Sequence, residues 1–359
     1  MKILHSADWH LDAPLGGYSE ADAAFLREQL RQVPQKIADL CKSKECDLML
    51  LSGDLFDGKY TKESYRAVYA ALEEVGIPVF IAPGNHDFCK ADSPYLLESW
   101  PENVHIFTRA SISSQALPQL DARIYGAGFE SMDCPGLLKD FTAEGDEKWH
   151  ICVLHGDPTV ASSPYCPVTH KQVKDSGLSY LALGHIHKEG SFRAGDTLCA
   201  WPGCPMGKAM DEDGIKGALL VTLDETVSAA FIPLDTPRFF DLEVDAGNDP
   251  AAVAAAMLPS AASADFYRIT FTGYADPFEP ESIAAEFPHV PHLTLRDRTM
   301  PETDLWGSAD DDSLEGVYFR LLREALDTDS AVHQQRVRLA AKISRQILDG
   351  QEVDRKSVV

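Results

Sequence analysis

The chain has 359 residues, with 56 acids against 32 bases and a formal net charge of −24. That length is enough for more than one domain and a sizeable core, and 45% apolar residues is ordinary for a soluble globular protein. No run approaches ~20 uninterrupted apolar residues, which excludes a spanning helix, and the acidity argues against the broad basic footprint by which proteins usually hold nucleic acid. The N-terminus enters a β-like run at once, without signal-peptide architecture. Cys41, Cys46, Cys89, Cys134, Cys152, Cys166, Cys199 and Cys204 show no paired spacing, as expected of reduced thiols in a cytoplasmic protein.

In chain order, the run Lys2–His5 leads into Asp8-Trp9-His10. A long helix is expected over residues 20–44, where Phe25, Leu26, Leu30, Val33, Ile37, Leu40 and Cys41 fall near helical spacing. The run Asp47–Leu51 precedes Gly53-Asp54-Leu55-Phe56-Asp57. A second helix is expected over 62–75, with Tyr65, Val68, Tyr69, Leu72 and Val75 on one face, and Gly76 and Pro78 ending it. Val79–Ala82 then precedes Gly84-Asn85-His86-Asp87, His150–Leu154 precedes His155-Gly156, and Leu181–Leu183 precedes Gly184-His185-Ile186-His187. Further strands are expected at Ile124–Phe129, Ala218–Leu223 and Ser228–Leu234, so that the pattern fits two mixed sheets faced by helices.

Pro233 to Pro237 marks a boundary. Residues 238–300 read strand (Phe239–Val244), alanine-rich helix (Pro250–Leu258), strand (Tyr267–Phe271), helix (Pro280–Phe287) and strand (His292–Leu295), a small α+β module without clustered catalytic residue types. After the acidic stretch Asp304–Asp312 comes a helix whose Leu314, Val317, Tyr318, Leu321, Leu322, Ala325 and Leu326 form an i, i+3, i+4 stripe. A last helix, over about 330–348, carries Arg336, Arg338, Lys342 and Arg345.

Strands of one sheet ending at one edge would carry all five polar clusters to one rim, where α/β proteins build ligand sites. Any one cluster alone reads as a turn, a cap or a buried structural histidine; five in succession, each of the right chemical type, read as a metal centre. Carboxylate, imidazole and amide ligands suit divalent ions such as manganese, magnesium, iron or zinc. The ligands are too many for one ion. Two ions about 3.5–4 Å apart suit in-line displacement at a phosphate ester, and Asp54, central among the motifs, is the natural bridge. Asp8 with His10, and His185 with His187, share an i, i+2 spacing that strand alternation would turn to one side. His5 lies inside the first strand and is not counted as a ligand.

These motifs, D-x-H, G-D-x-x-D, G-N-H-[DE], H and G-H-x-H, resemble those of the calcineurin-like metallophosphoesterase superfamily. Within it, Ile3–Leu11, Gly53–Asp57 and Trp201-Pro202-Gly203-Cys204-Pro205 are most similar to the SbcD/YhaO-type DNA repair nucleases, with Cys204 where a serine is usual. The resemblance covers residues 1 to about 235. It implies a four-layer αββα sandwich (α/β, or α+β) at 1–235, a small α+β capping domain at 236–300 and a C-terminal helical docking region at 301–359. It implies one ion held by Asp8, His10, Asp54 and His187 and another by Asp54, Asn85, His155 and His185, with manganese first among the candidates. His86 would contact the scissile phosphate or protonate the leaving oxygen, and Asp57 would orient His86. The implied activity is a two-metal DNA nuclease, a 3′–5′ exonuclease with single-strand endonuclease action, working in double-strand break repair. The implied partners are DNA ends and single strands, an SMC-type ATPase (SbcC-like) bound through the C-terminal helices, and a second copy of the chain, with no membrane. A small-molecule phosphodiesterase or phosphatase, favoured by the charge, and a non-catalytic scaffold are the competing readings. Gly58 and Asp87 stand where protein Ser/Thr phosphatases usually carry Arg and Glu.

Overall fold

A computed structural model describes residues 1–247, 249–301, 305–328 and 330–350. Contacts divide the chain into two compact units, Met1–Phe239 and the residues from Phe240 onward. Asp304, at the start of the acidic stretch, and residues 351–359 of the expected docking region lie outside the described residues.

The first unit contains two six-stranded sheets. One is built from β1 (Lys2–Ser6), β2 (Leu48–Leu51), β3 (Val79–Ile81), β4 (Val104–Ile106), β11 (Gly217–Leu223) and β12 (Val227–Pro233), in the order β12-β11-β1-β2-β3-β4. The other holds β5 (Ser113–Leu117), β6 (Ala122–Gly126), β7 (Trp149–His155), β8 (Tyr180–Gly184), β9 (Gly190–Ala194) and β10 (Thr197–Trp201), in the order β5-β6-β7-β8-β10-β9. The motif-bearing strands run parallel, β1 to β2 to β3 in the first sheet and β7 to β8 in the second. The mixed α/β fold is therefore the expected sandwich, but the rim is shared by two sheets rather than supplied by one.

Alternation fixes which side chains meet between the sheets. Ile3, Leu48, Leu50 and Phe80 from one sheet join Ile124, Ile151, Val153, Tyr180 and Ala182 from the other in a single buried core. Leu4, Met49 and Leu51 alternate with these and are also fully buried, so the outer face is covered too. The crossovers between successive parallel strands contain α1 (Glu20–Ser43) and α2 (Lys62–Val75). Both helices start at side-chain caps, Ser19 accepting from Asp22 N and Thr61 from Ser64 N, and α2 ends at Gly76 with φ 67°. On the far side of the second sheet, Cys152, Leu154, Leu181 and Leu183 pack with Val173 of α4 (His170–Asp175).

In the second unit β13 (Phe239–Asp245), β14 (Phe266–Thr272) and β16 (Leu293–Asp297) form a three-stranded sheet, with α5 (Pro250–Met257) and α6 (Pro280–Ala284) in the connections. Element types follow the expected order; α6 stops three residues short of Phe287. Ile269, Phe271, Ala254, Ile283 and Val290 form its core. The helices Leu314–Glu324 and Ala331–Leu348 belong to this same unit, with Phe319 and Ala341 buried beside Tyr274, Leu305 and Ala309. Phe319, which the predicted stripe omits, is fully buried, while Leu314, Val317, Tyr318 and Leu321 are exposed. Two of the basic residues in the last helix are paired within the unit, Lys342 with Asp245 and Arg345 with Glu315. Among the described residues no helix is long and apolar enough to cross a membrane.

Candidate metal centre

All nine residues singled out in the sequence converge at the C-terminal ends of the parallel strands. They do not sit in strand geometry. β1 ends at Ser6 and β8 at Gly184, and Asp8 (φ 56°), His10 (φ 47°), Asp54 (φ 52°) and His185 (φ 89°) all adopt left-handed backbone. The i, i+2 pairs therefore share a site because their loops turn sharply, not because of strand alternation. Non-glycine residues in that region are uncommon and cost energy that surrounding contacts must offset.

Those contacts are visible. The two first loops run side by side, with Asp8 N donating to Gly53 O at 3.0 Å and His10 N to Asp54 O at 2.9 Å. The Asp87 carboxylate accepts from the backbone N–H groups of Gly84 (2.7 Å), Leu55 (2.7 Å), Asp54 (3.2 Å) and Phe56 (3.3 Å), and from Tyr95 Oη at 2.5 Å. It pins the loop that presents Asp54. Gly84 is required by close approach, because a Cβ there would lie 2.2 Å from Asp54 Oδ1.

The ligand atoms converge in two groups that overlap at Asp8 and Asp54. In one, Asp8, His10 and His187 bring ligand atoms within 4.8 Å of one another; Asp8 does so too with Asp54 and His155, and His86 with His10 and Asp54. His10 Nε2 lies 3.1 Å from His187 Nε2 and 3.8 Å from Asp54 Oδ2. In the other, Asp54 Oδ2 lies 3.4 Å from His155 Nε2, and Asn85 Oδ1 is 2.9 Å from that nitrogen and 3.2 Å from His185 Nδ1. The two sheets are tied here as well: His185 N donates to Asp8 Oδ1 at 3.0 Å, and His155 Nδ1 donates to Ser52 O at 2.8 Å.

Hydrogen-bond partners fix the tautomers, since a carbonyl or carboxylate oxygen only accepts. His155 Nδ1 faces Ser52 O, His10 Nδ1 faces Asp57 Oδ1 at 3.3 Å, and His187 Nδ1 faces Glu212 Oε1 at 2.5 Å. His10 and His155, whose pKa burial lowers, then turn an Nε2 lone pair inward, whereas for His187 the hydrogen bond to Glu212 outweighs burial and raises the pKa. An imidazole lone pair facing an amide oxygen across 2.9 Å is an arrangement that a cation between them satisfies. Burial lowers His10 to about 3, His185 to about 4, and His155 below its usual range, which keeps them neutral as metal ligands must be. Burial also pushes Asp8 and Asp54 up to about 6, the behaviour of carboxylates held where positive charge is needed. The residues present fit divalent ions. Cys204 lies close to His187 and Glu212, but burial pushes its thiol up to about 12 and its Sγ donates to His187 O, so it has the character of a structural thiol rather than a ligand.

His86 differs from the other histidines. Its side chain is 46% exposed, and its Nδ1 lies 2.5 Å from Asp57 Oδ1. The hydrogen bond to Asp57 raises its pKa, which favours the form carrying N–H on both ring nitrogens. Asp57 is shared, since it also holds His10, and the two histidines outweigh the effect of its burial and depress its pKa. His5 is fully buried between Tyr180 Oη (2.7 Å) and Ser52 Oγ (2.8 Å), a structural residue as its position within β1 suggests.

Glu212 and Tyr95 were not found by sequence reasoning, and Asp87 was noted only as the neighbour of His86. Glu212 sits in the acidic run Asp211-Glu212-Asp213, indistinguishable from a solvated turn. Burial would raise its pKa, but the hydrogen bond to His187 and the nearby Lys208 hold it down to about 2.

Residues 1–189 match the family model described as calcineurin-like phosphoesterase. An uncharacterized metallophosphoesterase, YhaO, of Bacillus subtilis (strain 168) is 33% identical over 241 residues, covering 62% of this chain and 57% of its own length. The chain thus spans little more than half of that relative. Among solved structures, a dimetal phosphatase from Danio rerio is 12% identical with a TM-score of 0.45, over 67% of this chain and 99% of that one. An archaeal phosphodiesterase is 13% identical with a TM-score of 0.38, over 65% of this chain and 100% of that one.

Proposed function

Because the chain belongs to the calcineurin-like phosphoesterase family, we propose that it hydrolyses phosphodiesters with two divalent ions and that its substrate is DNA. The observation that carries the hydrolytic reading is the pair of ligand groups sharing Asp54, with the His86–Asp57 pair beside them. Asp8, His10, Asp54 and His187 would hold one ion and Asp54, Asn85, His155 and His185 the other, manganese being the first candidate. When bound, such ions supply Lewis acidity and positive charge to a phosphate. The chain's own contribution to turnover rests on His86. Asp57 fixes its ring through Nδ1 and raises its pKa, so that Nε2–H would be the donor to a phosphate oxygen or the departing oxygen.

The second unit supports DNA over a small ester, because a minimal phosphodiesterase needs neither the α+β module nor the helices after it. The exposed Leu314, Val317, Tyr318 and Leu321 on one helix support docking to a coiled-coil ATPase, since amphipathic helices recognise grooves through such anchors. The function would then be break processing in the cytoplasm, with which eight buried free cysteines agree. The net charge of −24 favours the second reading, a small-molecule phosphodiesterase. Hydrolysis of linear duplex, hairpin and single-stranded DNA, measured beside cyclic dinucleotides and p-nitrophenyl esters in manganese, separates them. Turnover of the small esters alone would refute the DNA reading. Retention of an SMC-type ATPase by a Leu314→Ser/Leu321→Ser variant would refute the docking face.

A further inference from the structure

The two ligand groups are backed differently. Around Asp8, His10 and His187 both imidazoles have a carboxylate on the outer nitrogen, Asp57 for His10 and Glu212 for His187. Around Asn85, His155 and His185 the backing is a backbone carbonyl, Ser52 O on His155, and the Tyr165 ring beside His185 at 4.8 Å. Asp8 lies with His10 and His187 and also with Asp54 and His155, so the carboxylates behind the imidazoles, rather than those facing the ions, distinguish the two groups.

Glu212 comes from the segment between β10 and β11, outside every motif. One carboxylate oxygen takes His187 Nδ1 at 2.5 Å, and the other accepts Lys208 N at 2.6 Å. Tyr18 Oη donates to Lys208 O at 2.8 Å, anchoring that segment from the far side. The His187 backbone is held by the same stretch of chain, its carbonyl accepting from Cys204 N at 3.3 Å and Lys216 Nζ at 3.4 Å. Ring and backbone of this one histidine are thus both fixed by residues 204–216.

We propose that Glu212 is a positioning residue that fixes His187, and that it makes the position around Asp8, His10 and His187 the tighter of the two for a divalent ion. The inference rests on the two-ion reading above. Outer carboxylates of this kind set the tautomer and orientation of a ligand imidazole and raise its basicity, and their loss costs about 10- to 100-fold in metal affinity. A purely structural role would need only an acceptor of the right length to close the 208–212 turn, which glutamine supplies as well as glutamate.

The test is calorimetric titration of manganese chloride into the full-length metal-free protein, native and Glu212→Gln. The native chain should bind in two phases, and the variant should lose about 10- to 100-fold in the tighter phase alone, with Glu212→Asp recovering part of the loss. Unchanged affinities, or an equal loss in both phases, would overturn the assignment. A native protein that binds no manganese would instead overturn the metal reading itself. If Glu212→Gln does not fold, histidine nitrogen NMR on the native protein decides: His187 Nδ1 should carry a proton shifted far downfield by its carboxylate partner, and an unprotonated Nδ1 would overturn the proposal.

Discussion

His5 joins the two sheets, and acidification should act on it measurably. It projects from β1 in one sheet to Tyr180 of β8 in the other, is fully buried, and is lowered from 6.5 to about 3, chiefly by that burial. A base whose pKa is depressed by folding contributes its full stability above the unfolded value. That stability is lost as pH falls below 6.5, because the unfolded chain takes up the proton first. With those two values, the loss is about 0.8 kcal/mol at pH 6 and about 2 kcal/mol at pH 5. Tyr180 Oη and Ser52 Oγ could both accept from a protonated ring, so the cost comes from taking the charge out of water rather than from a missing partner. The assay is urea unfolding between pH 7.5 and 5 with a chelator present, followed by tryptophan fluorescence. Trp9, Trp100, Trp149 and Trp201 lie in the first unit, and Trp306 is the fifth tryptophan of the chain. The difference between the native protein and His5→Gln cancels the other titrating groups. If both show the same dependence on pH, the burial argument is wrong and the protonated ring is accommodated.

Three further outcomes are expected. His86→Ala should lower kcat about 10²- to 10⁴-fold with manganese content unchanged by elemental analysis, whereas Asp57→Asn, which also releases His10, should lose both rate and bound metal. Tyr95→Phe removes one of five donors to Asp87 and should cost about 1.5–3 kcal/mol, read as a lower melting temperature for the first unit. Phe319→Ala should destabilise the second unit by about 3–5 kcal/mol through a cavity, whereas Leu321→Ser on the exposed face should change stability by no more than about 0.5 kcal/mol; equal effects in calorimetry would show the stripe to be core.

The parts legible in the sequence were those encoded over short distances. α1 and α2 carry apolar stripes with caps at Ser19 and Thr61 and a glycine stop at Gly76, so their bounds fall within a residue of expectation. The nine residues that converge at the rim were legible because each lies in a contiguous motif immediately after an apolar run. The division of those runs between two sheets was not, because β7 and β8 are as apolar as β1 to β3 and pairing is decided by distant segments. Edge strands such as β5, with the sequence Ser-Ser-Gln-Ala-Leu and largely exposed, lack the apolar run that marks a central strand. Left-handed backbone at Asp8, His10, Asp54 and His185 gives no local signal beyond an adjacent glycine at Gly53 and Gly184. Phe319 was passed over because its helix has apolar residues on two faces, and periodicity alone does not say which face is covered.

Since the candidate ligands come from both layers, with Asp8, His10, Asp54 and Asn85 on one side and His155, His185 and His187 on the other, the candidate centre spans the seam of the sandwich. Any ion seated there acts as a cross-link between the layers, and its binding energy is added to their cohesion. The relation runs in both directions. Side chains such as Ile3, Leu50, Val153 and Ala182, which touch no ligand, set the spacing across which the imidazoles face the carboxylates. An enlarged or truncated residue in that interlayer should therefore register first as altered metal retention, before any loss of fold.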